Sequence, residues 1–84
     1  MTIDIYTDLL AADLAEQGQG HREDAVGGFE VEAAWFQPQP HVTELSLIVV
    51  NGKRRVQSEQ PLADEDIRGE IHQQVQALLG ELAA

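Results

Sequence analysis

Eighty-four residues, a formal charge of −10 and no cysteine describe a short acidic chain, with room for one domain over residues 1–84 and a thin core. The charge opposes the phosphate attraction behind most nucleic-acid affinity and disfavours an anionic membrane surface, and the missing cysteines exclude disulfides, thiolate metal sites and a thiol nucleophile. With no signal-peptide pattern at Met1-Thr2-Ile3-Asp4 and no run near the ~18 apolar residues that span a bilayer, the expected location is the cytoplasm.

Leu, Ile, Val and Phe supply 23 of the 84 residues, enough for a folded chain. The acidity is uneven: residues 1–32 hold eight carboxylates and one arginine, a net of −7. Three of the five basic residues stand together as Lys53-Arg54-Arg55.

In chain order, Ile3, Tyr6, Leu10 and Leu14 recur at helical spacing, Leu9 widens the stripe, and Gly18 and Gly20 stop it. A helix over residues 3–17 is predicted, with Thr2 as its cap and Asp4 well placed for the helix dipole. Ile3, Ile5, Thr7 and Leu9 also alternate with period two, so a strand over residues 3–10 stays open as the alternative. Residues 18–28 are polar and glycine-punctuated and read as a loop with room for a short helical turn.

Phe29, Val31, Ala33 and Trp35 alternate with Glu30, Glu32, Ala34 and Phe36, the pattern of a half-buried strand. Gln37-Pro38-Gln39-Pro40-His41 ends it, since neither proline can donate a ladder hydrogen bond. Residues 42–50 form the next strand, Asn51-Gly52 signals a tight hairpin, and residues 53–58 return. Closing the hairpin on Asn51-Gly52 sets Val49 opposite Arg54, Leu47 opposite Val56 and Leu45 opposite Ser58. Closing the proline loop with Phe36 facing Val42 sets Ala33 by Leu45, Val31 by Leu47 and Phe29 by Val49. Both turns place the same residues on one apolar face.

After Pro61, Ile67, Ile71, Val75, Leu78 and Leu82 make a second helical stripe, broadened by Leu79. Asp64, Glu65 and Asp66 gather at its first turn, and Asp64 stands four residues before Arg68, a favourable spacing. The expected fold is α+β: a three-stranded antiparallel meander between an N-terminal and a C-terminal helix (α-β-β-β-α), with both helices on one sheet face.

No motif of catalysis or cofactor binding emerges. His21 lies beside Glu23 and Asp24 but lacks the cysteines that complete zinc sites of His-x-Glu order, His72 has Arg68 and Gln76 as its helical neighbours, and His41 follows a proline. These read as three solvated histidines, and neither a metal nor a cofactor is expected. Glu30 and Glu32 are the tidiest carboxylate pair, yet alternating glutamates are what the wet face of a sheet shows. Ser46 and Ser58 lack a nucleophile elbow, and Gly18-Gln19-Gly20 lacks the features of a phosphate loop.

The second sheet face is the less ordinary one. There Phe36, Val42 and Val50 are expected to form a patch at the loop end with Ile48 nearby, while Lys53 and Arg55 project together from the returning strand. The function this implies is a non-enzymatic protein-interaction module acting through a sheet face, as a homodimer or with another protein, without direct nucleic-acid or membrane contact. Two alternatives are an acidic antagonist of a basic, nucleic-acid-binding partner and a small enzyme whose site is shared between subunits.

Overall fold

The computed structural model describes residues 1–63 and 65–83. The chain runs α1 (Ile3–Glu16), β1 (Gly20–Val26), β2 (Phe29–Gln39), β3 (Val42–Asn51), β4 (Arg54–Ala63) and α2 (Ile67–Ala83). The strands form a four-stranded antiparallel sheet in the order β1-β2-β3-β4. No helix among the described residues is long and apolar enough to cross a membrane.

The α+β class stands, but the meander has four strands where three were expected. The additional strand is β1, in the segment read as a loop. Gly27 and Gly28 both have positive φ, 58° and 85°, which lets Val26 pair with Phe29 across a two-residue hairpin turn. Residues 3–10 are helical, and Thr2 caps α1 by accepting from the Ile5 amide at 3.2 Å. Tyr6, Leu10 and Leu14 are buried, whereas Leu9 is 40% exposed and does not widen the core stripe.

The two other turns close differently from the expectation. Asn51 pairs with Arg54, so the tight loop is Gly52-Lys53, with positive φ only at the glycine (64°). That is the requirement of a turn with glycine at its first central position. Likewise β2 continues through Gln37-Pro38 to Gln39, and Pro40-His41 makes the turn, with His41 at φ 65°. Pro38 is tolerated because the β2–β3 register shifts between Phe36 and Gln39, and because β1 ends its pairing at Trp35. Each expected register is therefore off by two: Leu47 faces Ala33 and Ser58, and Val49 faces Val31 and Val56. A shift of two keeps every side chain on its face.

That face carries the core. Val26, Val31, Ala33, Trp35, Leu45, Leu47, Val49 and Leu62 are buried against Tyr6, Leu10 and Leu14 of α1 and Ile71, Val75, Leu78, Leu79 and Leu82 of α2. Helix α1 lies against β1 and α2 against β3 and β4, side by side on the same face. Asp66 starts α2, accepting from the Gly69 amide at 3.2 Å. The expected Asp64–Arg68 pair falls outside the described residues; Arg68 bonds Asp8 at 2.5 Å and His72 lies 3.0 Å from Asp4, both across the helix pair. Arg54 donates to the carbonyls of Leu82 (2.9 Å) and Glu81 (3.2 Å), placing a cation at the negative end of α2, whose own last turn holds no base.

One core group goes unsatisfied. Tyr6 is fully buried, and its hydroxyl has no hydrogen-bond partner among the described residues. Burial first, then the Asp24 carboxylate, raises its pKa well above the ordinary phenol value. The fold thus favours the neutral phenol. The contribution of Tyr6 to stability is fully present below about pH 10, the unfolded value, and is lost as pH rises beyond it. Tyr6→Phe is expected to add about 1 kcal/mol at neutral pH, by removing the unpaired hydroxyl, and to flatten that alkaline loss; urea titrations at neutral and alkaline pH check both.

Candidate functional site

Both helices cover one side of the sheet, so its other side has no described element over it. The register places His21, Glu23 and Ala25 of β1, Glu30, Glu32, Ala34 and Phe36 of β2, and alternate residues of β3 and β4 on that side. Phe36, Val42, Ile48, Val50 and Arg55 all belong to it, as expected. Lys53 does not: it lies in the β3–β4 turn and cannot project with Arg55 from a strand.

The expected patch is divided. Phe36 and Val42 lie toward the β2–β3 turn, while Ile48 and Val50 lie toward the β3–β4 turn, with Glu44 and Ser46 between them. Phe36 is 53% exposed, beside a depression of about 430 Å³ that it lines with Ala34 and Ser46. Ile48 and Val50 are half-buried and line a second depression of about 390 Å³, walled by Glu23, Glu30 and Glu32.

Charge dominates this face. Glu23, Glu30, Glu32, Glu44 and Glu59 oppose Arg55 alone among the lysines and arginines placed there. Glu23 and Glu32 are direct cross-strand partners, and Glu32 is in turn paired with Ile48. Like charges placed directly opposite one another destabilise a sheet. Neither glutamate makes an ion pair with a described residue. The Glu30–Glu32 pair is therefore part of a larger acidic set that includes Glu23, on the additional strand β1.

The histidines are dispersed. His21 is exposed on the open face, His41 is in the β2–β3 turn, and His72 is beside Asp4. Among the described residues no group of three or more His, Asp or Glu side chains could hold a metal ion. Ser46 is on the open face and Ser58 on the helix side, where its hydroxyl lies 3.5 Å from Gln74 Oε1.

The fold and its open face define a two-helix, four-strand α+β domain with one acidic, apolar-floored sheet surface. No family model matches the chain, and neither a curated protein nor a solved structure matches it.

Proposed function

We propose that this protein is a non-enzymatic interaction module that docks a basic segment of another protein on its uncovered sheet face. The observation that carries the reading is the Glu23–Glu32 pair beside Ile48: two glutamates in direct cross-strand register, neither ion-paired with a described residue, next to a half-buried aliphatic side chain. A free domain bears the repulsion, and a bound cation relieves it. A departure from a local stability rule is expected where a surface serves binding. The apolar floor supplies area and the acidic walls supply orientation and attraction. This reading joins the sheet-face module to a basic partner, and the cysteine-free composition suits work in a reducing cytoplasm.

Titration with a labelled nonapeptide of alternating lysine and valine tests it. Saturable binding is expected at low salt, weakening as salt is raised to physiological strength. Glu32→Lys is expected to abolish binding while stabilising the free domain by about 0.2–1 kcal/mol, since Glu23 then faces a cation. Undiminished binding by this variant, or none by the wild type, refutes the proposal.

A further inference from the structure

The sheet has two edges, and they differ. Along β1 the first residue of the chain is laid down: the Met1 amino group donates to the Ala25 carbonyl at 3.1 Å, and the Gly27 amide donates to the Met1 carbonyl at 3.0 Å. Along β4, ten residues long, no described segment is hydrogen-bonded in this way. The turn at Gly52-Lys53 makes Asn51 and Arg54 the closing pair of the hairpin, and hydrogen-bonded pairs then recur at every second residue. Pro61, which has no N–H, falls opposite Glu44 in the set that makes no bonds to β3. Arg55, Gln57 and Glu59 belong to that same set, so their N–H and C=O groups point away from the sheet.

We infer that β4 is a self-association edge, pairing antiparallel with β4 of a second copy about a two-fold axis at Gln57, to make a continuous eight-stranded sheet. The outward residues are self-complementary about that centre. In this register Arg55 stands opposite Glu59 of the second copy, and Glu59 opposite its Arg55. Both side chains lie on the uncovered face, where facing opposite charges attract. Sliding the strands by two residues in either direction takes Arg55 off Glu59 and loses both ion pairs, and sliding by four sets Arg55 against Arg55 or Glu59 against Glu59, so this register alone pairs Arg55 with Glu59 twice.

The helix side agrees. The same register sets Arg54 of the second copy opposite Gln60, which lines a groove of about 310 Å³ between β4 and α2 with Glu70, Gln73 and Gln74. Glu70 Oε2 is buried there without a hydrogen-bond partner among the described residues. A second copy therefore sets its Arg54, whose guanidinium is held at the end of its own α2, beside Gln60 at the rim of the groove that contains Glu70 Oε2. An isologous contact of this kind closes on itself and leaves the two β1 edges outermost. It also doubles the uncovered face, although it does not depend on what docks there.

Sedimentation equilibrium at physiological salt tests the inference, with circular dichroism to show that each variant is folded. The wild type is expected to dimerise. Gln57→Pro removes the central outward donor without touching the β3 ladder and is expected to leave a monomer. Arg55→Glu, which sets glutamate opposite Glu59 twice in the dimer, is expected to weaken it about tenfold, and adding Glu59→Arg restores it by exchanging the charges. A wild type that is monomeric at millimolar concentration, a dimer that survives Gln57→Pro, or a double variant no tighter than Arg55→Glu overturns the inference. So does a dimer lost to Ile48→Glu and kept by Gln57→Pro, which would place the contact on the sheet face.

Discussion

Leu47→Ala is expected to cost about 2–5 kcal/mol, the range for emptying a buried leucine site. Leu47 is fully buried in β3, an interior strand of the sheet, between Ala33 on β2 and Ser58 on β4. Neither neighbour is large enough to fill the space that the isobutyl group leaves. A domain of this kind stands only about 5–15 kcal/mol above its unfolded state, so this one side chain carries a large share. Urea titration checks it, the midpoint falling while the slope stays constant. A loss below about 1 kcal/mol would mean that the strand does not face the helices in this way.

That placement was legible in the sequence even though the pairing was not. The alternation Phe29, Val31, Ala33, Trp35 on β2 and Leu45, Leu47, Val49 on β3 reports which side chains share a face, because a strand has period two. It carries no information on a slip of two residues, which preserves every face. The register was decided by turn chemistry: glycine at one central position of Gly52-Lys53 suffices, and His41 takes the left-handed conformation after Pro40. Asn51-Gly52 is the stronger signal on paper, and the chain closes one residue later.

The missed strand has a different cause. Gly27-Gly28 is a hairpin signal as good as Asn-Gly, but residues 20–26 contain Val26 as their only β-branched member. Their inward positions are Gly20, Arg22, Asp24 and Val26, so the alternation that marks a strand elsewhere is replaced by an ion pair. Gly20 is small for a reason: a Cβ there would come within 2.7 Å of the Trp35 ring, whose indole nitrogen donates to the Gln17 carbonyl at 3.1 Å. Missing β1 also concealed how Glu23 confronts Glu32, since neither residue is unusual until the strands are paired. Lys53 was misplaced by the same two-residue register error. The stripe of α2 was read correctly because helical periodicity extends over its whole length without needing any partner.

The inward-facing ion pair of β1 gives the second large expected effect. Arg22 donates through Nε to Asp24 Oδ2 at 2.6 Å, through Nη2 to Asp24 Oδ1 at 3.1 Å and through Nη1 to Asp13 Oδ2 at 2.6 Å. It thereby clamps α1 to the sheet edge beside the buried Tyr6 ring. The Asp24 hydrogen bond, above all, raises the pKa of this guanidinium still further, against the opposing effect of burial. Side-chain exposure is 23% for Arg22, 12% for Asp24 and 31% for Asp13, so the cluster is shielded but not dry. Removing one member of a fully buried pair costs about 3–5 kcal/mol, chiefly through the charge left behind; discounted for this exposure, Arg22→Met should cost about 2–3 kcal/mol. The methionine retains most of the stem's packing, so the loss reports on charge rather than volume. Arg22→Lys keeps the charge but cannot make the two-pronged contact to Asp24, and is expected to fall between the two. Adding Asp13→Asn and Asp24→Asn to Arg22→Met should recover most of the stability, because the stranded carboxylates are then gone. Urea titration of the series measures these differences, and a triple variant no more stable than Arg22→Met alone would show that the guanidinium acts through packing and not through its two aspartates.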